Sequence, residues 1–136
     1  MAVKVFQTSQ FLPVSIETAW DFFSSPKNLS VITPPEMDFV ITNAHLPERT
    51  HAGQIISYRV SPLKGFRTTW VTEITHVEAP NFFVDEQRKG PYTLWHHQHR
   101  FESVEGGVLM TDIVHYEVPM GIIGNWLNAL FIRKKI

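Results

Sequence analysis

Cysteine is absent from the 136 residues, which excludes disulfides, thiolate zinc sites, iron–sulfur ligation and cysteine nucleophiles together. Charge of either sign is not in excess: 12 basic residues against 13 acidic ones leave −1, so no electrostatic footprint points to nucleic acid. No window approaches the roughly 18 apolar residues of a membrane span. The N-terminal run Met1-Ala-Val-Lys-Val-Phe-Gln-Thr alternates apolar and polar residues and lacks the apolar stretch of a secretory signal. Repeats, low-complexity tracts and linkers are missing, as are G-x-S-x-G, a glycine-rich phosphate loop and H-E-x-x-H. The expectation is one domain over residues 1–136, cytoplasmic, without stable membrane insertion, and large enough to bury a core without a metal or disulfide staple.

Aromatic residues are plentiful: 10 Phe, 4 Trp and 3 Tyr. They supply large apolar area that can fill a core, line a pocket, or both. Val3, Val5 and their polar neighbours predict a strand to about Leu12. Pro13 punctuates, Ser15 is a plausible N-cap, and Ile16, Ala19, Trp20 and Phe23 form one apolar helix face. Pro26 closes that helix, and a second short helix is expected over Lys27 to Ile32. Six strands follow: Met37–Asn43, Gln54–Val60, Phe66–Val77, Phe82–Arg88, Thr93–Val104 and Val108–Val118, rich in β-branched and aromatic residues. Short turns such as Ala79-Pro80-Asn81 and Gly106-Gly107 make neighbours antiparallel. Beyond Gly121, Ile123, Trp126, Leu127 and Leu130 give a helical stripe. The order β-α-α-β6-α predicts an α+β fold: a curved seven-stranded antiparallel sheet wrapped around a long C-terminal helix.

The hairpin through Gly106-Gly107 carries the most information. On its first strand His96, Gln98, Arg100 and Glu102 share the solvent face, while Trp95, His97, His99 and Phe101 share the other. A two-residue turn, Glu105-Gly106 or Gly106-Gly107, places Met110, Asp112, Val114, Tyr116 and Val118 on that same inner face. In one register His99 lies directly opposite Asp112, in the other diagonally; a three-residue turn would reverse the faces. An inner face mixing apolar residues with His97, His99, Asp112 and Tyr116 has three readings. It is a self-satisfied network stiffening the sheet, the polar patch of a ligand cavity, or a His-x-His metal site with a nearby acid. The last has no fourth ligand, so no metal and no cofactor is expected. On the Phe66 strand, Trp70, Thr72 and Ile74 share one face and Val71, Glu73 and Val77 the other. A four-residue turn over Glu78–Asn81 would align Trp70 and Ile74 with Phe83, Asp85 and Gln87. His45, His51, His76 and His115 read as loop or outer-face residues.

Three segments carry a resemblance: Phe83-Val-Asp-Glu-Gln-Arg-Lys-Gly-Pro-Tyr92, Trp95-His-His-Gln-His-Arg-Phe101 and Met110-Thr-Asp-Ile-Val-His-Tyr116. With the element order, the chain resembles the START-like (SRPBCC) superfamily, the helix-grip fold of birch-pollen allergens, lipid-transfer domains and polyketide cyclase/dehydrases. The bacterial ligand-binding members are most similar. The resemblance implies an apolar cavity between the concave sheet and the C-terminal helix, with Trp126 and Leu130 facing it. A helix from Gly121 to Ile136 would span about 24 Å, shorter than the resemblance implies. The expected ligand-binding residues are Trp70, Trp95, His97, His99, Phe101, Met110, Asp112, Val114, Tyr116, Trp126 and Leu130, with no catalytic residue assigned. The expected function is binding of a small hydrophobic or amphipathic molecule. A cofactor-independent cyclase, dehydratase or hydrolase using a His–Asp pair is the alternative, and a protein-interaction module is a third.

Overall fold

The computed structural model describes residues 3–28, 31, 38–43, 49–63 and 66–119. The expected C-terminal helix, with Trp126 and Leu130, lies outside the described residues, as do His45 and much of the second short helix. Alternating residues at the start form β1 (Lys4–Leu12). Helix α1 (Ile16–Phe23) begins on Ser15, whose Oγ accepts the Thr18 N–H at 3.1 Å. It ends at Ser24, whose N–H donates to the Trp20 carbonyl, and Pro26 starts a 3-10 turn over Pro26–Asn28. The expected strand over Met37–Asn43 shortens to β2 (Val40–Ile41). The reason is local. The Asn43 carboxamide, not the backbone, accepts the Ser57 N–H at 2.6 Å and donates to the Ile55 carbonyl, which takes the place of further ladder pairs.

The remaining strands are β3 (Ile55–Leu63), β4 (Phe66–Glu78), β5 (Phe82–Lys89), β6 (Leu94–Val104) and β7 (Gly107–Glu117). They form one antiparallel sheet in the order β1-β7-β6-β5-β4-β3-β2. The first two strands therefore occupy opposite edges, and the inner face of the sheet is the one that carries the core. Helix α1 lies on that face: Trp20 packs edge-on against Phe83 at 5.7 Å and Phe101 at 5.5 Å. Its apolar stripe is the expected one, with Ala19 buried and Ile16, Trp20 and Phe23 against the core.

Two bulges refine the faces. The β4–β5 turn has three residues, since Glu78 pairs with Phe82, but an extra residue, Thr75, shifts the ladder between Ile74 and His76. Bulge and shorter turn together pair Ile74 with Asp85 and Thr72 with Gln87, the alignment a four-residue turn would have given. The same bulge turns Val77 onto the core side with Trp70, Thr72 and Ile74, where strict alternation had placed it opposite. A further shift lies between Val71 and Thr72.

The β6–β7 turn is Glu105-Gly106, with Gly106 at φ +82° and Val104 paired with Gly107. Gly107 sits so close to β1 that a Cβ there would lie 2.1 Å from the Leu12 carbonyl oxygen. That contact is with backbone and cannot yield without moving a strand. Gly107→Ala should therefore lower stability by about 2–3 kcal/mol through overpacking. Urea unfolding would measure this, and a change under about 0.5 kcal/mol, the scale of an ordinary surface substitution, would contradict the close packing.

Candidate functional site

The inner sheet face carries two groups of aromatic rings. Trp20, Phe23, Phe83 and Phe101 pack at one end under α1. Trp70, Trp95, Tyr92 and Tyr116 pack at the other, with Trp70 and Trp95 edge-on at 5.2 Å. Between them lie four polar side chains from three adjacent strands: Asp85 on β5, His97 and His99 on β6, and Asp112 on β7. The histidine rings bridge the two groups. Phe83 stacks on His99 at 4.1 Å, His99 on His97 at 3.7 Å, and His97 meets the edge of Trp95 at 6.0 Å.

Backbone register places His99 opposite Asp112 and His97 opposite Asp85. The short hydrogen bonds run along the other diagonal. His97 Nε2 pairs with Asp112 Oδ1 at 2.8 Å, and His99 Nε2 with Asp85 Oδ2 at 2.5 Å. The direct pairs are longer: 3.4 Å from His99 Nδ1 to Asp112 Oδ1 and 3.8 Å from His97 Nδ1 to Asp85 Oδ2. Each imidazole thus lies between the same two carboxylates. The side chains are 5 % (His97), 13 % (Asp85), 16 % (Asp112) and 19 % (His99) exposed, so all four are shielded from bulk water.

The two imidazoles separate in charge. Burial, reinforced by the neighbouring positive charge of His99, holds His97 down at about 4, against the weaker pull of the Asp112 hydrogen bond and the carboxylates. Burial also opposes charge on His99, but hydrogen bonding to Asp112 and Asp85 and attraction to both outweigh it and raise the ring to about 9. Burial works against the Asp112 carboxylate, yet the bonds from His97 and His99 keep it well below the usual carboxylate range. At neutral pH His99 is thus an imidazolium and His97 a neutral imidazole, with Asp112 ionised between them.

These four residues form one wall of a cavity of about 440 Å³. The floor is the inner face of β3, β4 and β5, with Ile56, Tyr58, Thr72, Ile74 and Phe83; Phe23 to Pro26 at the end of α1 and Thr50 form another side. Thr8 and Gln10 on β1 complete the polar end, next to Asp112 and Met110 in the ladder. Burial pushes the Tyr58 hydroxyl up, so it stays protonated.

Of the expected ligand residues, His97, His99, Met110 and Asp112 line this cavity. Trp70, Trp95, Phe101, Val114 and Tyr116 share the inner face but are buried in the core beside it, not on its lining. Trp126 and Leu130 lie outside the described residues. The lining residues Ser24, Ser25 and Pro26, after α1, and Thr50, between β2 and β3, carry no sequence signal, because they lie outside the strands and no periodicity places them. Thr8 and Gln10 were legible in principle: alternation on β1, continued across from β7, places both beside Asp112 and Met110.

Asp85, His97 and His99 bring ligand atoms within 4.8 Å of one another. The rings, however, are stacked at 3.7 Å, and each turns one nitrogen towards Asp85 Oδ2 and the other towards Asp112 Oδ1. The short contacts of Asp85 and Asp112 are instead with the imidazoles. The arrangement suits hydrogen bonding and proton exchange better than metal ligation.

The charge separation predicts a stability maximum. His99 binds its proton more tightly in the folded chain, so its contribution is complete below pH 6.5 and is lost as pH rises through about 9. Folded His97 resists protonation, so stability falls as pH drops from 6.5 towards 4, and Asp112 extends the loss below that. Urea unfolding across pH should peak near 6.5 and decline on the alkaline side by an amount on the order of 2 kcal/mol. His99→Gln should abolish the alkaline decline. A wild-type profile flat from pH 6.5 to 9 would contradict the charged His99.

No model of a known protein family matches the chain, and no curated protein matches it. Solved structures do. Protein Ms6760 from Mycobacterium smegmatis superposes with a TM-score of 0.69 at 16 % identity, over 99 % of this chain and 88 % of that one. A START superfamily protein from the same organism gives 0.67 at 12 %, over 96 % and 90 %. Major latex-like protein 151 from Panax ginseng gives 0.66 at 12 %, over 98 % and 95 %. These likenesses give the chain a START-like fold, seen among the described residues as the seven-stranded antiparallel sheet with helix α1 on its inner face.

Proposed function

We propose that this chain, as a cytoplasmic protein, binds a small hydrophobic or amphipathic molecule in the cavity on the inner face of its sheet. The observation that carries the reading is the lining: apolar side chains of β3, β4 and β5, among them Ile56, Ile74 and Phe83, face the convergent cluster His97, His99, Asp85 and Asp112, which holds all the ionisable side chains of the described lining apart from Tyr58. Burial of apolar ligand surface supplies the driving force, and the polar group orients one end. Rings locked by stacking, with paired carboxylates, are already ordered before a ligand arrives, which lowers the entropy cost of binding. The START-like fold and the absence, among the described residues, of a helix long and apolar enough to cross a membrane are consistent with this reading.

A second reading has one observation in its favour. Two imidazoles in one cavity wall, one held neutral and the other held charged, are a base and an acid side by side. Such a pair would serve a cofactor-independent proton transfer, as in a cyclase or dehydratase, on the same bound molecule. Binding is common to both readings and is tested first.

The uncharged fluorophore N-phenyl-1-naphthylamine should bind with saturable, one-to-one stoichiometry. Filling the cavity with Thr72→Phe or Met110→Trp should weaken that binding at least about tenfold, which is about 1.4 kcal/mol. Far-UV circular dichroism should keep the folded spectrum. Absence of saturable binding, or binding unchanged in both folded variants, would contradict the proposal.

A further inference from the structure

The charge of the polar wall narrows the ligand class, on the premise that the cavity binds a small molecule as proposed above. Whatever the protonation of the imidazoles, two ionised carboxylates beside two histidines give this wall a net charge between −2 and zero. It is never positive. Among the described residues no lysine or arginine lines the cavity; the other polar lining groups, such as Thr8, Gln10 and Thr72, are uncharged. An anionic ligand end would have to compete with Asp85 and Asp112 for the same imidazole N–H groups, and it would meet like charge in a site shielded from water.

The hydrogen-bond inventory points the same way. Asp112 uses Oδ1 for both of its histidine contacts, at 2.8 Å and 3.4 Å. Its Oδ2 has no hydrogen-bond partner among the described residues, although the side chain lines the cavity and retains some exposure. A carboxylate oxygen in that position accepts and cannot donate. What is missing from the wall is therefore a donor, and a positively charged donor satisfies the charge as well.

We propose that the cavity selects an amphipathic amine: a molecule with an apolar, ring-sized body and an ammonium end that sits against Asp112. A neutral hydroxyl end fits less well, and a carboxylate end is rejected. The apolar body lies over Ile56, Ile74 and Phe83, and the ammonium donates to Asp112 Oδ2.

Three ligands with one naphthalene body and different ends test this: 2-(2-naphthyl)ethylamine, 2-(2-naphthyl)ethanol and 2-naphthylacetate. Each is titrated calorimetrically into the whole chain at pH 7 and in competition with N-phenyl-1-naphthylamine. The amine should bind at least about tenfold more tightly than the carboxylate, a difference of about 1.4 kcal/mol, with the alcohol between them. Asp112→Asn, which keeps the shape and removes the charge, should shrink the amine-to-carboxylate ratio, and Asp85→Asn is a second variant should the first not fold. Equal or tighter binding of the carboxylate, with the neutral fluorophore still bound, would overturn the amine preference and leave the cavity reading standing. Failure of all three ligands to displace a bound fluorophore would do the same. If the fluorophore itself does not bind, both the cavity reading and the amine preference fall.

Discussion

Two carboxylates placed on the inner face of a sheet whose core is mainly aromatic and aliphatic have to be compensated where they stand. Desolvating an ionised carboxylate costs several kcal/mol even after relaxation, and here the compensation comes from two imidazoles on the intervening strand. That arrangement governs much of what surrounds it. The histidines must stack to reach both acids, so they bridge the Phe83 and Trp95 aromatic groups as continuous packing. Their protonation must split, because two imidazolium rings at 3.7 Å would repel each other. The wall they make stays polar and ordered, and the cavity in front of it keeps an end that an apolar body alone cannot satisfy.

A buried network of this kind is a poor source of net stability. Replacing the whole set by apolar residues of similar volume is often neutral or favourable, whereas removing one member strands the others. Its presence on a sheet that already buries Trp70, Trp95, Val108 and Val114 completely is thus better understood through what it does to the cavity than through what it adds to folding. The sheet contributes rigidity. Both edges of the sheet belong to the chain's first two strands, helix α1 lies on the inner face, and the cavity is bounded by the end of that helix and the central strands.

Much of the fold was legible because period-two alternation is strong in β6 and β7. It correctly separated Trp95, His97, His99 and Phe101 from His96, Gln98, Arg100 and Glu102, and the Glu105-Gly106 register was one of the two open choices. Three things were not legible. The Thr75 bulge has no distinctive residue type, yet it decides the side on which Val77 lies. Diagonal rather than direct pairing depends on side-chain geometry that a ladder diagram does not carry, and it joins His99 to Asp85 more closely than to Asp112. Large aromatic side chains on the inner face also read alike whether they line space or fill it; Trp70, Trp95 and Tyr116 fill it, because they find one another first.

The most direct test of the account is to locate a bound molecule. With N-phenyl-1-naphthylamine at saturation, nuclear Overhauser effects between its ring protons and assigned side chains report which surface it contacts. The account predicts contacts to the Met110 methyl, Ile56, Ile74 and the imidazole protons of His99, all on the inner face. Contacts confined to convex-face residues, such as Leu109 and Ile113, with none to the cavity lining, would contradict it.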